Sequence, residues 1–450
     1  MMELSDIVNK AIQIGEKKNI TQIEAYAFRG RMRNVYVENS DIHLTTNNSW
    51  VGLGVKSVLD KRVGFMSGVV SSDNDIEKLV DGSISLAKLS PEDKEFVSLP
   101  TGKKVSSSST IGFDKELLNL PIEELVSFAK TIVNHAEKDG IKVMNGLVRI
   151  NDYTFHVVNS LGVDATHSGT FMFVHYSTKI EKSEGVEKAY SARFKDLDPV
   201  AIGEELYRKT MLALNAKPFK GTKTVTAIIK PVELEGMINS SISVAVNGEH
   251  VNKKRSPWVG KLNQAVASDL LTIKHNPSLP EGPRSSPIDD EGVPTKEKAL
   301  IEKGILKSYV FDSYNGNIAK VGSTGNGFRR GTRSIEDAYQ SQATCRPSNL
   351  EIIPGNKTLD QLISEVKFGV IIEKFAAPNV DGITGNFGLE IRSAVLIENG
   401  ELTQPIKHAL LIGNFYKGLM SIFGVAKEAR LAENVKTPAI GFEGFQLVGK

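Results

Sequence analysis

Two apolar runs, Ala299 to Ile301 and Ile305 to Phe311, stand either side of Lys303-Gly304, and the same design returns at Val395-Leu396-Ile397-Glu398-Asn399-Gly400-Glu401-Leu402. A two-residue link ending in glycine is the preferred joint of a tight β-hairpin, because both central residues take a positive φ that asparagine and glycine tolerate best. The second half of the chain therefore reads as a strand-rich core. The echo is too short to mark a repeat array. Just upstream of the first hairpin, Asp289, Asp290 and Glu291 precede Gly292 and Pro294, which stop the chain in a turn. Downstream, Ser323-Thr324-Gly325-Asn326-Gly327 forms a second, glycine-rich turn.

The first half has a different texture. Ser5 is placed to cap a helix carrying Ile7, Val8, Ala11, Ile12 and Ile14 at helical spacing. Short alternating runs follow at Asn34 to Glu38, Ile42 to Thr46, Val51 to Leu59 and Val63 to Val70, and these read as antiparallel strands. Asp73 or Asp75 caps a second helix with apolar positions at Ile76, Leu79, Val80 and Ile84. Ser90 to Leu120 loses periodicity and reads as a long surface loop. A third helix starts at Pro121 and runs to about Asp139, strands return between Val143 and Lys182, and Pro199 opens a fourth helix. Ala216 to Thr224, with Pro218, Gly221 and three lysines, reads as a linker. The expectation is an α+β protein of two domains: residues 1–218 with helices packed on an antiparallel sheet, and residues 219–450 with a strand-rich, hairpin-built fold.

Fifty-five basic against fifty-three acidic residues leave a net charge of +2, which supplies no global field for nucleic acid or an anionic membrane. Lys253-Lys254-Arg255 and Arg329-Arg330 are local basic runs, read first as solvated loop faces. The single cysteine, Cys345, excludes an intrachain disulfide and a four-cysteine zinc site; Arg346 beside it is a charge that would lower a thiol pKa. The N-terminus lacks the basic start and apolar core of a secretory signal, and no run of about 20 apolar residues would span a bilayer. A cytoplasmic location is expected.

Candidate chemistry is sparse. The eight histidines never fall at helical i, i+4 or i+5 spacing. Asp289, Asp290 and Glu291 offer oxygens to a hard cation, against a reading as turn chemistry leading into the hairpin. Gly325, Asn326 and Gly327 with Arg329 and Arg330 offer N–H groups and guanidiniums to a peptide carboxylate or other anion, against a reading as a tight structural turn. Ser240 and Ser241 have neither a nearby glycine elbow nor the Ser-x-x-Lys arrangement of a nucleophile.

Taken in order, Asn159-Ser160-Leu161-Gly162, Ser285 to Pro294, Ile301-Glu302-Lys303-Gly304, Ser323 to Gly327 and Leu396-Ile397-Glu398-Asn399-Gly400 resemble the TldD/PmbA family, also known as modulators of DNA gyrase. The resemblance implies kinship with zinc peptidases whose TldD-type subunit carries a HExxxH helix and a cysteine near the C-terminus. This chain contains no HExxxH string. Counting back from Asn252-Lys253-Lys254 sets the two histidines near Ser240 and Ala245 and the glutamate near Ser241, and counting back from Pro438 sets the cysteine near Arg430. The resemblance thus implies the PmbA or TldE type: a metal-free, noncatalytic subunit, with no cofactor of its own and zinc in a TldD-type partner, that helps to form a chamber for peptides. A homodimer is the alternative to that heterodimer. A gyrase- or nucleic-acid-associated modulator and a hydrolase with an unrecognised site are the alternative functions, the former disfavoured by the near-neutral charge.

Overall fold

The structure, a computed structural model, describes residues 2–102, 104–106, 111–329 and 335–449. Its first part comprises α1 (Leu4–Glu16), β1 (Gln22–Glu38), β2 (Asp41–Leu59), β3 (Arg62–Val69), α2 (Asp73–Leu89), β4 (Lys104–Ser106), α3 (Lys115–Asn119) and α4 (Ile122–Ala136). Strands β5 (Lys142–Asn159), β6 (Asp164–Ile180) and β7 (Ser183–Ser191) and helix α5 (Pro199–Leu214) complete it. The strands form one seven-stranded sheet in which β3, β2, β1, β5 and β6 are successive antiparallel neighbours and β7 pairs with β6. Runs that read as separate short strands are joined: β1 has 17 residues and β2 has 19, because each keeps its partner through the polar stretch between the apolar ones. Ser5 lies inside the first turn of α1, whose N-cap is Glu3, and Ser72 rather than either aspartate caps α2, with Asp75 closing a capping box. The stretch read as a loop before Pro121 contains both β4 and α3. The serine run at 107–109 lies outside the described residues.

Alternation decides which sheet face is covered. Odd-numbered residues of β1, such as Ala25, Ala27 and Val35, turn toward the helices: Ala25 and Ala27 join the core under α1 and α2, and Val35 joins the core of Phe128, Ile132 and Leu206 beneath α4 and α5. Even-numbered residues of β1, Glu24, Tyr26 and Phe28 among them, turn to the other face.

The second part begins where a linker was expected, yet that stretch is paired: β8 (Lys217–Pro218) lies beside a later strand and β9 begins at Thr222. After β9 (Thr222–Ile229) come α6 (Pro231–Ala245), α7 (Gly248–Asn252), β10 (Ile273–His275), β11 (Lys298–Glu302), β12 (Ile305–Leu306) and α8 (Ser313–Ile318). Then follow β13 (Gly327–Phe328), β14 (Thr344–Cys345), β15 (Leu350–Ile352), α9 (Leu359–Ser364), β16 (Phe368–Phe375) and β17 (Asn386–Glu398). The chain ends with β18 (Glu401–Lys407), β19 (Ala409–Asn414), α10 (Phe415–Met420), β20 (Ile422–Ala432) and β21 (Val435–Gly449). Pairing runs from β9 to β16, β17, β19, β21 and back to β9, so five strands close into a barrel and leave no free edge among themselves. Helix α6 packs Leu234, Met237 and Ile242 into the main core with Ala227, Ile229 and Ile372, while Ile228, Ile371 and Ile397 form a second core with Leu362 and Ile363 of α9. Both hairpins form as the sequence predicts: Lys303 and Gly304 have φ of 44° and 76°, and Asn399 and Gly400 have φ of 52° and 83°.

Candidate functional site

The acidic turn is buried at the junction of the two sheets. Asp289 uses one oxygen to accept from the N–H of Glu291 at 3.0 Å and of Val293 at 2.9 Å, closing the turn on itself, and the other to accept from Gly327 N–H at 2.8 Å. Asp290 accepts from Arg329 N–H at 2.7 Å and from the Tyr26 hydroxyl of β1 at 3.1 Å. Glu291 accepts from the N–H and hydroxyl of Ser313, both at 2.8 Å. Burial pushes all three carboxyls upward: Asp289 well above the usual range with Glu291 as the next cause, Asp290 upward, and Glu291 to about 7. Gly327 passes so close to the Glu291 carboxylate that a side chain there would collide with it.

The glycine-rich turn therefore meets an anion belonging to its own chain. Gly325 N–H donates to Ser323 Oγ at 3.2 Å, Gly327 and Arg329 N–H groups serve the two aspartates, and Asn326 receives Lys298 Nζ at 2.8 Å while donating to Arg346 O at 3.1 Å. The Arg329 guanidinium is fully buried, donating to Glu24 of β1 at 2.7 Å and to Ser341 O at 2.6 Å, with its carbon 4.1 Å from the Tyr26 ring centre. Arg330 lies outside the described residues. This constellation joins the two parts of the chain: the second part clamps Glu24, Tyr26 and Phe28 on the face of the first sheet away from its helices, and Ile288, Ala338 and Tyr339 complete its apolar packing. The alternation of β1 is the signal that could have exposed it, since Tyr26 and Phe28 lie opposite the helix-facing residues.

A second constellation surrounds α6. Pro231 starts the helix, and Leu234, Met237, Ile238, Ile242 and Ala245 face inward. Ser240 donates its hydroxyl proton to Gly236 O at 2.6 Å and accepts from Val380 N–H at 2.9 Å; buried Ser241 donates to Met237 O at 2.5 Å; Ala245 is buried. Tyr416 donates across the helix to Ser241 O and Gly382 O, at 3.1 and 2.6 Å, so the segment carrying Val380 and Gly382 roofs these positions. Arg430 on β20 ion-pairs with Glu187 of β7 and donates to Lys188 O at 2.6 Å. Hydroxyls turned back on their own helix, a methyl and a guanidinium do not fit zinc, which takes thiolate, imidazole or carboxylate donors. Among the described residues no group of three or more His, Cys, Asp or Glu side chains is placed to hold a metal ion.

What stands beside α6 is a mixed charge cluster with no sequence motif. Asn239 donates to Glu235 at 2.6 Å and to Asn434 at 2.9 Å, Arg284 reaches Glu433 at 2.5 Å, and Lys374 reaches Glu233 at 3.2 Å. Burial, then the charge of Glu433, pushes the Glu235 carboxyl up to about 7. Burial, then Lys374, lowers Lys188. A cavity of about 550 Å³ opens between β7 and β20, lined by Glu187, Tyr190, Arg193, Glu281, Arg430 and Lys436. Cys345 corrects one expectation: burial, then Asp312, raises its thiol instead of lowering it, and its sulfur accepts from Asp312 N–H at 3.2 Å.

Three family models match in chain order: PmbA/TldA metallopeptidase domain 1 over residues 23–87, the central domain over 115–214 and the C-terminal domain over 222–449. The chain belongs to the PmbA/TldD family. Among its relatives, a Metalloprotease PmbA homolog of Buchnera aphidicola is 25% identical over 100% of this chain and 95% of its own length. A Metalloprotease TldD homolog of Haemophilus influenzae is 30% identical over 52% of this chain, and the match spans 47% of that protein. Among solved structures, TldE from Thermococcus kodakarensis superposes with a TM-score of 0.85 at 27% identity, covering 98% of this chain and 99% of that one. A Thermotoga maritima protein described as a DNA gyrase modulator candidate shares the fold, with a TM-score of 0.86 at 21% identity over 99% of this chain and 100% of its own. Both hairpins, the acidic turn and the glycine-rich turn, which suggested the family, lie inside the C-terminal match. No helix among the described residues is long and apolar enough to cross a membrane.

Proposed function

We propose that this chain is the noncatalytic subunit of a cytoplasmic zinc peptidase, pairing with a TldD-type chain that carries the metal and helping to enclose peptides. The observation that carries this reading is the chemistry at the positions matching the zinc motif. Ser240 and Ser241 spend their hydroxyl protons on helix carbonyls, Ala245 offers nothing, and Arg430 is committed to Glu187. A metal-bound water at this place would have neither imidazole to hold its ion nor a carboxylate to take its proton. The likeness to a TldE structure along nearly the whole chain supports the same subunit type.

The test is biochemical. The purified chain is assayed for bound zinc and for cleavage of an unfolded peptide, alone and mixed with a TldD-type chain from the same genome. Zinc well below one equivalent in the lone chain, with cleavage appearing only in a co-purifying mixture, is the expected result. Stoichiometric zinc with peptidase activity in the lone chain would overturn the reading.

A further inference from the structure

The sheet face that docks the second part at Glu24, Tyr26 and Phe28 continues beyond the joint. Strand register carries it through Trp50, Gly30, Tyr153 and Gly169 in one row to Leu44, Tyr36, Leu147, His175 and Lys188 in the last, across β2, β1, β5, β6 and β7. Helices α4 and α5 cover the opposite face, where Val148, Ile150, Met172 and Val174 are buried. On this face Trp50, Tyr153, Phe171, Phe173, Tyr190 and Leu147 are only half-buried, and Leu44 is 49% exposed. The rings form a ladder: Phe28 stacks on Trp50 and Tyr153 at the joint, and Phe173 stacks on Tyr190 and His175, with centroids 4.9 and 6.2 Å apart. A cavity of about 300 Å³ opens over the last row, lined by Tyr36, Leu44, Leu147 and His175 and, at the β1 and β2 side away from Lys188, by Glu38 and His43, which lie 3.6 Å apart.

Charge narrows what can lie there. No carboxylate occurs in the rows between Trp50 and Lys188, whereas Arg149 and Lys188 are cations. Arg149 is held in place by donating to Asn34 at 2.7 Å. Size narrows it further. The four gaps of ~4.8 Å between five strands and six steps of ~3.4 Å along them give a footprint of ~400 Å². That is about half of the ~800 Å² per partner of a standard folded interface, but ample for a single extended segment, whose alternate side chains match the period of the rows. Lys188 at the far end adjoins the α6 cluster, whose Glu233, Glu235 and Glu433 favour its charge and whose Lys374 opposes it.

We infer that this half of the sheet face is a docking surface for one extended peptide segment rich in aromatic or apolar residues and bearing a carboxylate, with the acidic end toward Lys188. It rests on the reading of the chain as a peptide-handling subunit and names the class of peptide preferred.

The experiment measures fluorescence anisotropy of two dye-labelled peptides, alternating Phe and Ser, one ending in two glutamates and one in two lysines, with the lone full-length chain. The acidic peptide should bind about fivefold more tightly than the basic one, and Lys188→Glu should abolish or invert that preference. Phe173→Ala and, independently, the exposed change Leu44→Ser should each weaken both peptides by about threefold to tenfold, with circular dichroism matching wild type. Equal affinity for both peptides, unchanged affinity in the folded variants, or sedimentation showing this face closed by a second copy would overturn the inference. Failure here with co-purification of a zinc-bearing partner intact would remove the surface and leave the subunit reading standing; loss of co-purification with peptide binding intact would do the reverse.

Discussion

Glu291 shows how far an identity can mislead about a role. Three adjacent acids read as a metal-binding candidate or a turn, and each carboxylate instead closes a different buried contact, to Gly327, to Arg329 and Tyr26, and to Ser313. Its folded-state pKa of about 7 against an ordinary 4.5 sets the sign of a pH effect. Below pH 4.5 both states hold the proton; between 4.5 and 7 the folded state keeps it while the unfolded chain releases it, so stability falls as pH rises; above 7 both are ionised. Glu291→Gln keeps an acceptor for Ser313 and removes that titration. In urea unfolding at pH 5 and pH 7.5, wild type should lose on the order of 2–3 kcal/mol relative to Glu291→Gln between the two pH values. A constant gap between the two proteins would show that the carboxyl titrates normally. The turn itself was legible from Gly292 and Pro294, whereas the burial was not: desolvation of a carboxylate is imposed by residues hundreds of positions away, such as Tyr26.

Among the elements, the hairpins were the most readable, because positive φ at Lys303-Gly304 and Asn399-Gly400 is a local requirement met by local residues. The joined strands β1 and β2 were not, since pairing carries them through polar residues that propensity alone would leave as loop. Helix α6 was implied only by the family motif placed at Ser240 to Ala245, since the residues from Pro231 onward do not by themselves distinguish a buried helix from an irregular segment; hydroxyl-to-carbonyl bonds and the inward face of Leu234, Met237 and Ile242 reveal its place. Restoring the motif residues there should fail. Ser240→His removes the acceptor for Val380 N–H, and Ala245→His forces an imidazole into a fully packed core. The combined Ser240→His, Ser241→Glu, Ala245→His variant should unfold at a midpoint lower by several degrees, from about 2–4 kcal/mol of overpacking and lost hydrogen bonding, as scanning calorimetry would show. A midpoint equal to wild type would mean that the helix has room for a metal site.

For the molecule as a whole, the joint between the two sheets places a buried ion pair between the two parts, and cooperative unfolding should depend on it. Arg329 is fully enclosed between Glu24 and the Tyr26 ring, so Arg329→Ala leaves the buried Glu24 carboxylate with Lys56 alone, 3.6 Å away, and should cost about 3 kcal/mol. Because the loss falls on the contact between the parts, denaturant unfolding followed by Trp50 and Trp258 fluorescence and by circular dichroism should change from one coincident transition to two. Coincident transitions in a destabilised variant would place the coupling elsewhere. Family membership, the α+β class and the hairpin geometry follow from residue order, since each depends on local backbone chemistry or on motifs that recur in sequence. The closure of five strands into a barrel, the burial of the acidic turn against β1 and the meeting of Glu235, Lys188 and Arg284 come from residues far apart in the chain. Burial and pairing are properties of surfaces brought together, and no stretch of residues carries them alone.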